Sequence, residues 1–500
     1  MRLDLNQDWS LDYRDHRNLS ADVPCSLYSV LLAHGLMEDP FFGENEPVAR
    51  ELTRGGCLFR KRFGLPANRP DGGRAFLVFE AIDTIARVVL NGAVLGEPCN
   101  MHRRWEYDVT GCLRQEDNLL EVHLSDPLAF CEKADDAYPL FGMHFVCRGY
   151  QHLRKPHSMF GWDWGPQLPD MGLPGPVSLV FRQAARLLDL DIRQRHEAGR
   201  VALDCTARVE RYGDSHRHGD GEDDLSWQVR VTAPDGRIFE GRAPAGTPIR
   251  LSIPDPVLWW PNGLGDPALH QVETVLSRDG VPVDRDERRI GLRTLTVSTA
   301  RDPWGSEFCF VVNGRKIFSM GADYIPEDSL LPRIDRARTE RLIRDCARAN
   351  FNSIRVWGGG YYPPEDFYDL CDRYGLIVWQ DFMFACATYR LTPEFQENLV
   401  GEFTDVLMRI RHHACLGLLC GNNEMEIGWV EWIRQPNERI RQDYLTLYER
   451  LLPEICEQLA PATFYWPASP SSVGGFENPN DFNRGDTHFW DAWHGSKPFD

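Results

Sequence analysis

The chain has 500 residues, 42% of them hydrophobic, and at roughly 150 residues per domain this length predicts about three domains. Its formal net charge of −19 provides no basic surface for a phosphate backbone, so we expect no nucleic acid and no membrane partner. The N-terminal residues lack the apolar core of a signal peptide, which predicts a cytoplasmic protein. The sequence carries no prediction of an oligomeric state.

Residues 1–184 contain short strand patterns separated by turns. Runs such as GCLFRKRFGL, AFLVFEAI and NLLEVHLSD are rich in β-branched and aromatic residues. Asn91-Gly92 lies between two apolar runs and is a strong hairpin signal. The pattern predicts an antiparallel, jelly-roll-like β-sandwich.

Residues 185–298 carry a second set of alternating strands, including VALDCTARVE, SWQVRVTAP and HQVETVLSRD. About one hundred residues of this kind fit an immunoglobulin-like β-sandwich. The polar run GDSHRHGDGEDD at residues 213–224 is interpreted as a mobile loop between strands.

From residue 299 to 500 the pattern changes to strands that alternate with helices. The strand candidates are IFSMGADY, FNSIRVWGGG, LIVWQDF, CLGLLCGNNE, TFYWPASP and GDTHFWDAW, with amphipathic helices between them. We therefore predict the first six β/α units of a (β/α)₈ barrel that is incomplete in this chain.

In such barrels the residues at the carboxyl ends of the strands face the active site. Here these ends carry carboxylates, amides and indoles together with one arginine and one histidine, namely Arg355, Trp357, Gln380, Asp381, Asn422, Asn423, Glu424, Asp486, His488, Trp490 and Trp493. Indole faces stack on sugar rings, while carboxylates and amides bind hydroxyl groups. A carbohydrate is the ligand class that this mixture fits best, although any single tryptophan could instead fill the barrel core.

Eight longer segments carry a resemblance to a known family. They are DPFFGENE, GWDWGPQLP, LWWPNGLGDPALH, IGLRTL, IRVWGGGYY, VWQDFMFAC, GNNE and GDTHFWDAWHGSKPF, in this order along the chain. The sequence thereby resembles glycoside hydrolase family 2, and within it the β-mannosidases. The resemblance implies a sugar-binding-like first sandwich and a retaining exo-enzyme that removes terminal β-D-mannosyl residues from oligosaccharides by double displacement.

The same resemblance assigns roles to individual residues. Glu424 matches the acid/base carboxylate, which predicts a pKa raised by partial burial and a nearby anionic nucleophile. Asn423 matches the amide that binds the sugar 2-hydroxyl. Asp163 and Trp162 match a loop that closes the pocket around the nonreducing sugar, with a packed domain interface as the alternative for the tryptophan.

Further substrate contacts are predicted at four positions near the strand ends: Arg355, Trp357, His488 and Trp490. In the family the nucleophilic glutamate ends the seventh strand, so we expect it beyond Asp500. The adjacent histidines His412 and His413 lie in a turn without a second ligand cluster, and we predict no metal and no organic cofactor.

Two alternatives stay open at this point. One is another family 2 exo-glycosidase, acting on β-galactosides, glucuronides or glucosaminides. The other is a noncatalytic carbohydrate-binding protein, which would follow if the natural chain ended at residue 500.

Overall fold

The computed structural model of the chain describes residues 1–70, 72–212, 225–433, 437–493 and 495–498. The loop predicted at residues 213–224 lies outside the described residues. Within the described ranges, no helix combines the length and the apolar composition that a membrane crossing requires.

Two antiparallel sheets form the first domain. One contains, in spatial order, Arg2–Asp4, Val177–Arg182, Arg74–Phe79 and Trp105–Asp108. The other contains His16–Ala21, Trp9–Tyr13, Cys57–Phe63, Asn118–Leu124, Ala86–Leu90 and Ala93–Gly96. Three helices accompany them, Leu27–Ala33, Asn45–Glu51 and Pro127–Ala137. The inward-facing side chains of both sheets share one apolar core, as a sandwich requires.

The predicted hairpin forms between Ala86–Leu90 and Ala93–Gly96. Asn91 and Gly92 both adopt positive φ, 52° and 86°, which is the backbone geometry of a type I′ turn. A second, shorter hairpin pairs Phe160–Trp162 with Gly165–Gln167 and projects Asp163 at its turn.

The second domain is also a pair of antiparallel sheets. Ala185–Glu197, Arg200–Arg211 and Ile249–Pro254 form one, and Ile238–Pro244, Leu225–Thr232, His270–Arg278 and Val281–Ile290 form the other. Alternate residues of these strands are buried, for example Trp227, Val229 and Val231. The structure thus confirms two β-rich domains in the first part of the chain.

A five-stranded parallel sheet follows, with its strands in sequential order. They are Asp323–Tyr324, Ser353–Val356, Ile377–Asp381, Leu416–Cys420 and Phe464–Trp466. A small antiparallel sheet that the sequence analysis did not predict, Leu295–Ser298, Cys309–Val312 and Arg315–Lys316, packs against the parallel strands through Leu295, Phe310 and Leu418.

Helices connect the parallel strands, and some of them begin at a residue whose side chain caps the helix. The helices are Arg336–Arg348, Glu365–Tyr374, Pro393–Ile410, Glu438–Thr446 and Leu452–Leu459, with short turns of helix at Met425–Ile427, Gly428–Trp432 and Leu447–Leu451. The Asp335 and Thr392 side chains accept backbone hydrogen bonds at two of the N-termini. Gly375 ends another helix with a φ of 73°, a conformation that glycine adopts without strain.

The prediction of a sixth parallel strand at GDTHFWDAW is wrong. Within this segment Asp486 makes one isolated bridge to Ser471, and residues 487–490 form no ladder. The carboxylate of Asp486 instead accepts hydrogen bonds from Trp466, at the end of the fifth strand, and from the backbone N–H of Ser471. Phe489 and Trp493 stay 67% and 77% exposed. Side-chain contacts of Asp486, and not a strand ladder, therefore fix the position of this segment.

Candidate active site

The carboxyl ends of the third, fourth and fifth parallel strands meet at one point. The Asn423 amide N–H donates to the Phe384 carbonyl at 2.9 Å, and Cys386 returns a bond to the Asn423 carbonyl at 3.0 Å. The Glu424 amide donates to the Ser469 carbonyl at 2.8 Å. The three post-strand loops are therefore joined by backbone hydrogen bonds, and this fixes the position of Glu424.

Glu424 occupies the left-handed region of backbone space, with a φ of 61°. This conformation is uncommon for a residue with a Cβ, and it is found preferentially at functional sites. The backbone bonds on both sides of Glu424 hold it there, and its carboxylate lies 17% exposed at the sheet edge.

The two carboxylate oxygens of Glu424 have different partners. Oε1 lies 2.7 Å from Nδ1 of His488. Oε2 accepts from the Cys386 thiol at 3.2 Å and from the side-chain NH₂ group of Asn423 at 3.4 Å. The same NH₂ group of Asn423 also donates to Sγ of Cys386 at 3.3 Å, so these groups form one connected cluster.

The prediction of a raised pKa for Glu424 is wrong for the described residues. Burial acts to raise the pKa, but the hydrogen bond and charge of His488 outweigh it, with smaller contributions from Cys386 and Arg355. The pKa of Glu424 consequently lies below its ordinary value. The reason is that a potential cation stands next to the carboxylate, where the sequence analysis expected an anion.

Arg355, from the second parallel strand, binds protein groups rather than facing open solvent. Its guanidinium donates to Asp381 at 2.8 Å and to Oδ1 of Asn423 at 2.9 Å. Trp379 and the Gly358 amide also donate to Asp381, at 2.9 and 3.0 Å. This network orients the Asn423 side chain so that its NH₂ group faces Glu424.

His488 has a protein partner at each ring nitrogen. Besides the Glu424 contact at Nδ1, its Nε2 lies 2.9 Å from Oγ of Ser469. The Ser469 hydroxyl in turn donates to Asp486 at 2.6 Å. His488 was predicted as a pocket wall or hydroxyl ligand, and the structure places it beside the acid/base candidate.

A cluster of indoles from the first domain packs onto the sheet edge. The ring centroids of Trp162 and Trp164 lie 4.8 and 5.6 Å from that of Trp357, in edge-on geometry. Trp357 is only 7% exposed as a result. Asp163 lies exposed at the turn between these two tryptophans, so the GWDWGP loop does reach the mouth of the sheet.

Trp490 is half-exposed, in the irregular segment two residues after His488. A separate cluster of titratable groups lies before the fourth strand, at the opposite end of the strand from Glu424. His413 precedes the fourth strand and is held between Asp372 at 2.7 Å and Glu365 at 2.9 Å. Burial opposes its charge, but the two carboxylates outweigh burial and raise the pKa of His413 to about 9. Each ring nitrogen of His413 lies within hydrogen-bond distance of a carboxylate, which is the geometry of an internal ion pair.

Sequence reasoning missed the roles of Cys386 and Ser469. Both sit in loops just after parallel strands, but thiol and hydroxyl groups are common there and neither residue type signals a contact with Glu424. Asp486 was noticed as a polar residue near a strand end, but its contact with Ser469 depends on how two distant loops meet.

Two family models match the chain. The model described as glycosyl hydrolase 2 galactose-binding domain-like matches residues 9–175. The model of glycosyl hydrolases family 2 matches residues 185–293.

Several known proteins resemble the chain over nearly its whole length. Beta-mannosidase B of Aspergillus terreus is 32% identical, across 95% of this chain and 57% of the relative. Beta-mannosidase B of Thermothelomyces thermophilus is also 32% identical, across 99% of this chain and 59% of the relative. The chain therefore spans less than two thirds of the length of the curated relatives that it matches.

Solved structures also resemble the chain over most of its length. The beta-D-mannosidase of Dictyoglomus thermophilum has a TM-score of 0.92 and 33% identity, and the match covers 100% of this chain and 61% of that one. The exo-chitosanase of Amycolatopsis orientalis, with a TM-score of 0.69 and 16% identity over 94% of this chain and 53% of its own, shares the fold. On the combined evidence of the family models and the relatives, the chain belongs to glycoside hydrolase family 2.

Proposed function

We propose that the protein is a retaining exo-β-mannosidase, and that this chain supplies its acid/base carboxylate, Glu424. The observation that carries the proposal is the position of Asn423 and Glu424, whose loop is hydrogen-bonded to two other post-strand loops, in a chain that resembles β-mannosidases throughout. The substrate would be the terminal β-D-mannosyl residue of an oligosaccharide.

In the first step of the proposed reaction, the protonated Glu424 gives its proton to the glycosidic oxygen as the bond to the anomeric carbon breaks. A second carboxylate attacks that carbon and forms a covalent glycosyl-enzyme. In the second step, Glu424 accepts a proton from water, whose oxygen attacks the anomeric carbon and releases mannose. In each turnover Glu424 therefore loses one proton in the first step and regains one in the second.

The support for sugar binding comes from Asn423. Arg355 fixes its amide oxygen, which leaves the NH₂ group beside Cys386 and Glu424 as the donor for a sugar hydroxyl. A donor whose orientation is set in advance stabilises the transition state without reorganisation cost. The resemblance assigns this donor to the 2-hydroxyl.

The exo mode is supported by the GWDWGP loop. Trp162 and Trp164 close one side of the sheet edge by packing on Trp357, and Asp163 projects from the turn between them. A wall at this place would admit a chain end and exclude a continuing polysaccharide, with Asp163 as a ligand of the sugar hydroxyls.

We propose that the nucleophile comes from a later strand of the same barrel, as the family resemblance implies. Two observations support this. The described parallel sheet contains five strands in sequential order, and the match covers only 57% and 59% of the two similar β-mannosidases. The proposal would also place the nucleophile's negative charge near Glu424, where it would oppose the pKa-lowering effect of His488.

A panel of aryl β-glycosides tests the proposal. The full-length protein should show its highest kcat/KM on the mannoside, compared with the galactoside, glucuronide and glucosaminide of the same phenol. A preference for one of the other sugars would favour the related exo-glycosidases. Binding of mannose without release of phenol from any substrate would favour a noncatalytic carbohydrate-binding protein.

A further inference from the structure

The contacts of His488 determine where its protons can be. Ser469 has one hydroxyl hydrogen, and it donates that hydrogen to the Asp486 carboxylate at 2.6 Å. The oxygen of Ser469 therefore presents a lone pair to Nε2 of His488, 2.9 Å away. A hydrogen bond there requires that Nε2 carry its own hydrogen.

The remaining nitrogen, Nδ1, lies 2.7 Å from Oε1 of Glu424. With Nε2 already protonated, a hydrogen bond at this distance needs one more proton between Nδ1 and Oε1. Either Glu424 is a carboxylic acid that donates to neutral His488, or an imidazolium donates to the Glu424 carboxylate. Both forms hold the same number of protons.

We propose that Asp486 and Ser469 are positioning residues that fix the tautomer of His488, so that Glu424 and His488 share a single proton. The inference rests on the proposed function, in which Glu424 must hold a proton before the glycosidic bond breaks. During that step the shared proton passes to the leaving oxygen, and the pair remains as a carboxylate and a neutral imidazole. In the second step the pair regains the proton from the attacking water.

The hydrogen-bond partners of Asp486 allow a direct test, because they determine the orientation that an asparagine side chain would adopt at this position. Oδ1 of Asp486 accepts from the Trp466 indole at 2.7 Å and from the Ser471 amide at 2.9 Å. In Asp486→Asn the carbonyl oxygen must stay on these two donors, so the new NH₂ group must face Ser469. The hydroxyl of Ser469 would then turn and donate to Nε2 of His488.

Asp486→Asn should accordingly reverse the tautomer, leaving Nε2 bare and placing the hydrogen on Nδ1. His488 would then donate to Glu424 and stabilise its carboxylate without an additional proton. In full-length protein, hydrolysis of mannosides with poor leaving groups should fall roughly 10- to 100-fold at neutral pH, a part of what general acid catalysis contributes. The alkaline limb of the kcat/KM profile should move to lower pH, while glycosylation by an activated aryl mannoside should change little.

The tautomer is measured independently of activity. In full-length protein labelled with ¹⁵N-histidine, the His488 signals are identified by their loss in His488→Gln. We expect a protonated Nε2 in the wild type, a bare Nε2 in Asp486→Asn, and a mixture of both forms in Ser469→Ala, which removes only one oxygen atom. Asp481→Asn is the matched control, because Asp481 lies in the same region and its carboxylate binds Arg484 instead.

A wild-type tautomer and an unchanged leaving-group dependence in both Asp486→Asn and Ser469→Ala would overturn the proposal. A failure of the proposed function has a different signature. In that case the full-length protein would hydrolyse no aryl β-glycoside, while the histidine signals would still report the tautomer.

Discussion

Replacing Glu402 with alanine should destabilise the protein by about 3–5 kcal/mol, because the guanidinium of Arg154 would stay buried without its counter-charge. The two side chains are 0% and 1% exposed. Glu402 accepts from Nη2 and Nε of Arg154 at 2.6 and 2.9 Å, and also from Tyr362 and Asn100 at 3.0 and 2.8 Å. All four hydrogen bonds would be lost together.

The pair also links the first domain to the parallel sheet. Arg154 donates to the Met383 carbonyl at 2.7 Å, in the loop that leads to Cys386, and its guanidinium lies 4.1 Å from the ring centroid of Phe384. An unpaired Arg154 would therefore disturb the loop that contacts Glu424. We expect Glu402→Ala to lower catalytic activity as well as stability.

Thermal unfolding measures the effect. At about 2–4 °C per kcal/mol for a domain of 150–250 residues, the loss corresponds to a fall in Tm of roughly 6–20 °C. The double replacement Arg154→Met with Glu402→Leu should recover much of it, since it removes both charges. Glu240→Ala is the control, because Glu240 pairs with Arg230 at 3.0 Å on the exposed surface and should contribute less than about 1 kcal/mol.

The contribution of the Arg154–Glu402 pair to stability should decrease at acid pH. Burial acts to raise the pKa of Glu402, but the charge and hydrogen bonds of Arg154 outweigh it and hold the pKa below its ordinary value. The pair's contribution is thus present above the pKa of an unfolded glutamate and is lost as the pH falls into the acid range. A Glu402→Ala variant with the same Tm as Glu240→Ala would refute this account of the pair.

Glu424→Gln in the full-length protein should slow hydrolysis of mannosides with poor leaving groups by roughly 10²–10⁴-fold and spare glycosylation by activated aryl mannosides; equal losses in single-turnover kinetics would contradict the acid role. Asp163→Ala should cost about 1–3 kcal/mol of transition-state binding in kcat/KM with an unchanged Tm, whereas unchanged kinetics would show that the loop has only a structural role. His413 stabilises the fold as a cation between Asp372 and Glu365, and its folded pKa of about 9 exceeds the ordinary value of 6.5. Its contribution should be complete below pH 6.5 and disappear as the pH rises through 9, so the Tm difference between wild type and His413→Gln should shrink between pH 6.5 and 10.

Sequence patterns predicted the main elements well where local chemistry decides them. The helix from Glu365 to Tyr374 follows Pro364 and ends at Gly375, and both signals are visible in the sequence. The strand Leu416–Cys420 is an uninterrupted apolar run, as a strand buried on both faces requires. The clustering of polar residues after such runs correctly indicated where Asn423 and Glu424 lie.

The errors arose where distant segments decide the outcome. GDTHFWDAW has the composition of a strand, but Asp486 binds Trp466 at the end of the fifth strand and Ser471 beyond it, and residues 487–490 form no ladder. The direction of the Glu424 pKa shift depends on His488, which lies 64 residues away in the chain. Spacing along the chain does not encode such contacts.

Azide rescue of Glu424→Ala most directly tests the central claim, that Glu424 is the acid/base of a retaining β-mannosidase. The full-length variant is given a β-mannoside with an excellent leaving group, so that the glycosyl-enzyme forms without acid assistance and then persists because no base activates water. Azide needs no base, so it should raise the turnover rate and yield β-mannosyl azide. No rate increase, or an α-mannosyl azide product, would contradict the assignment, since the α-anomer would identify Glu424 as the nucleophile.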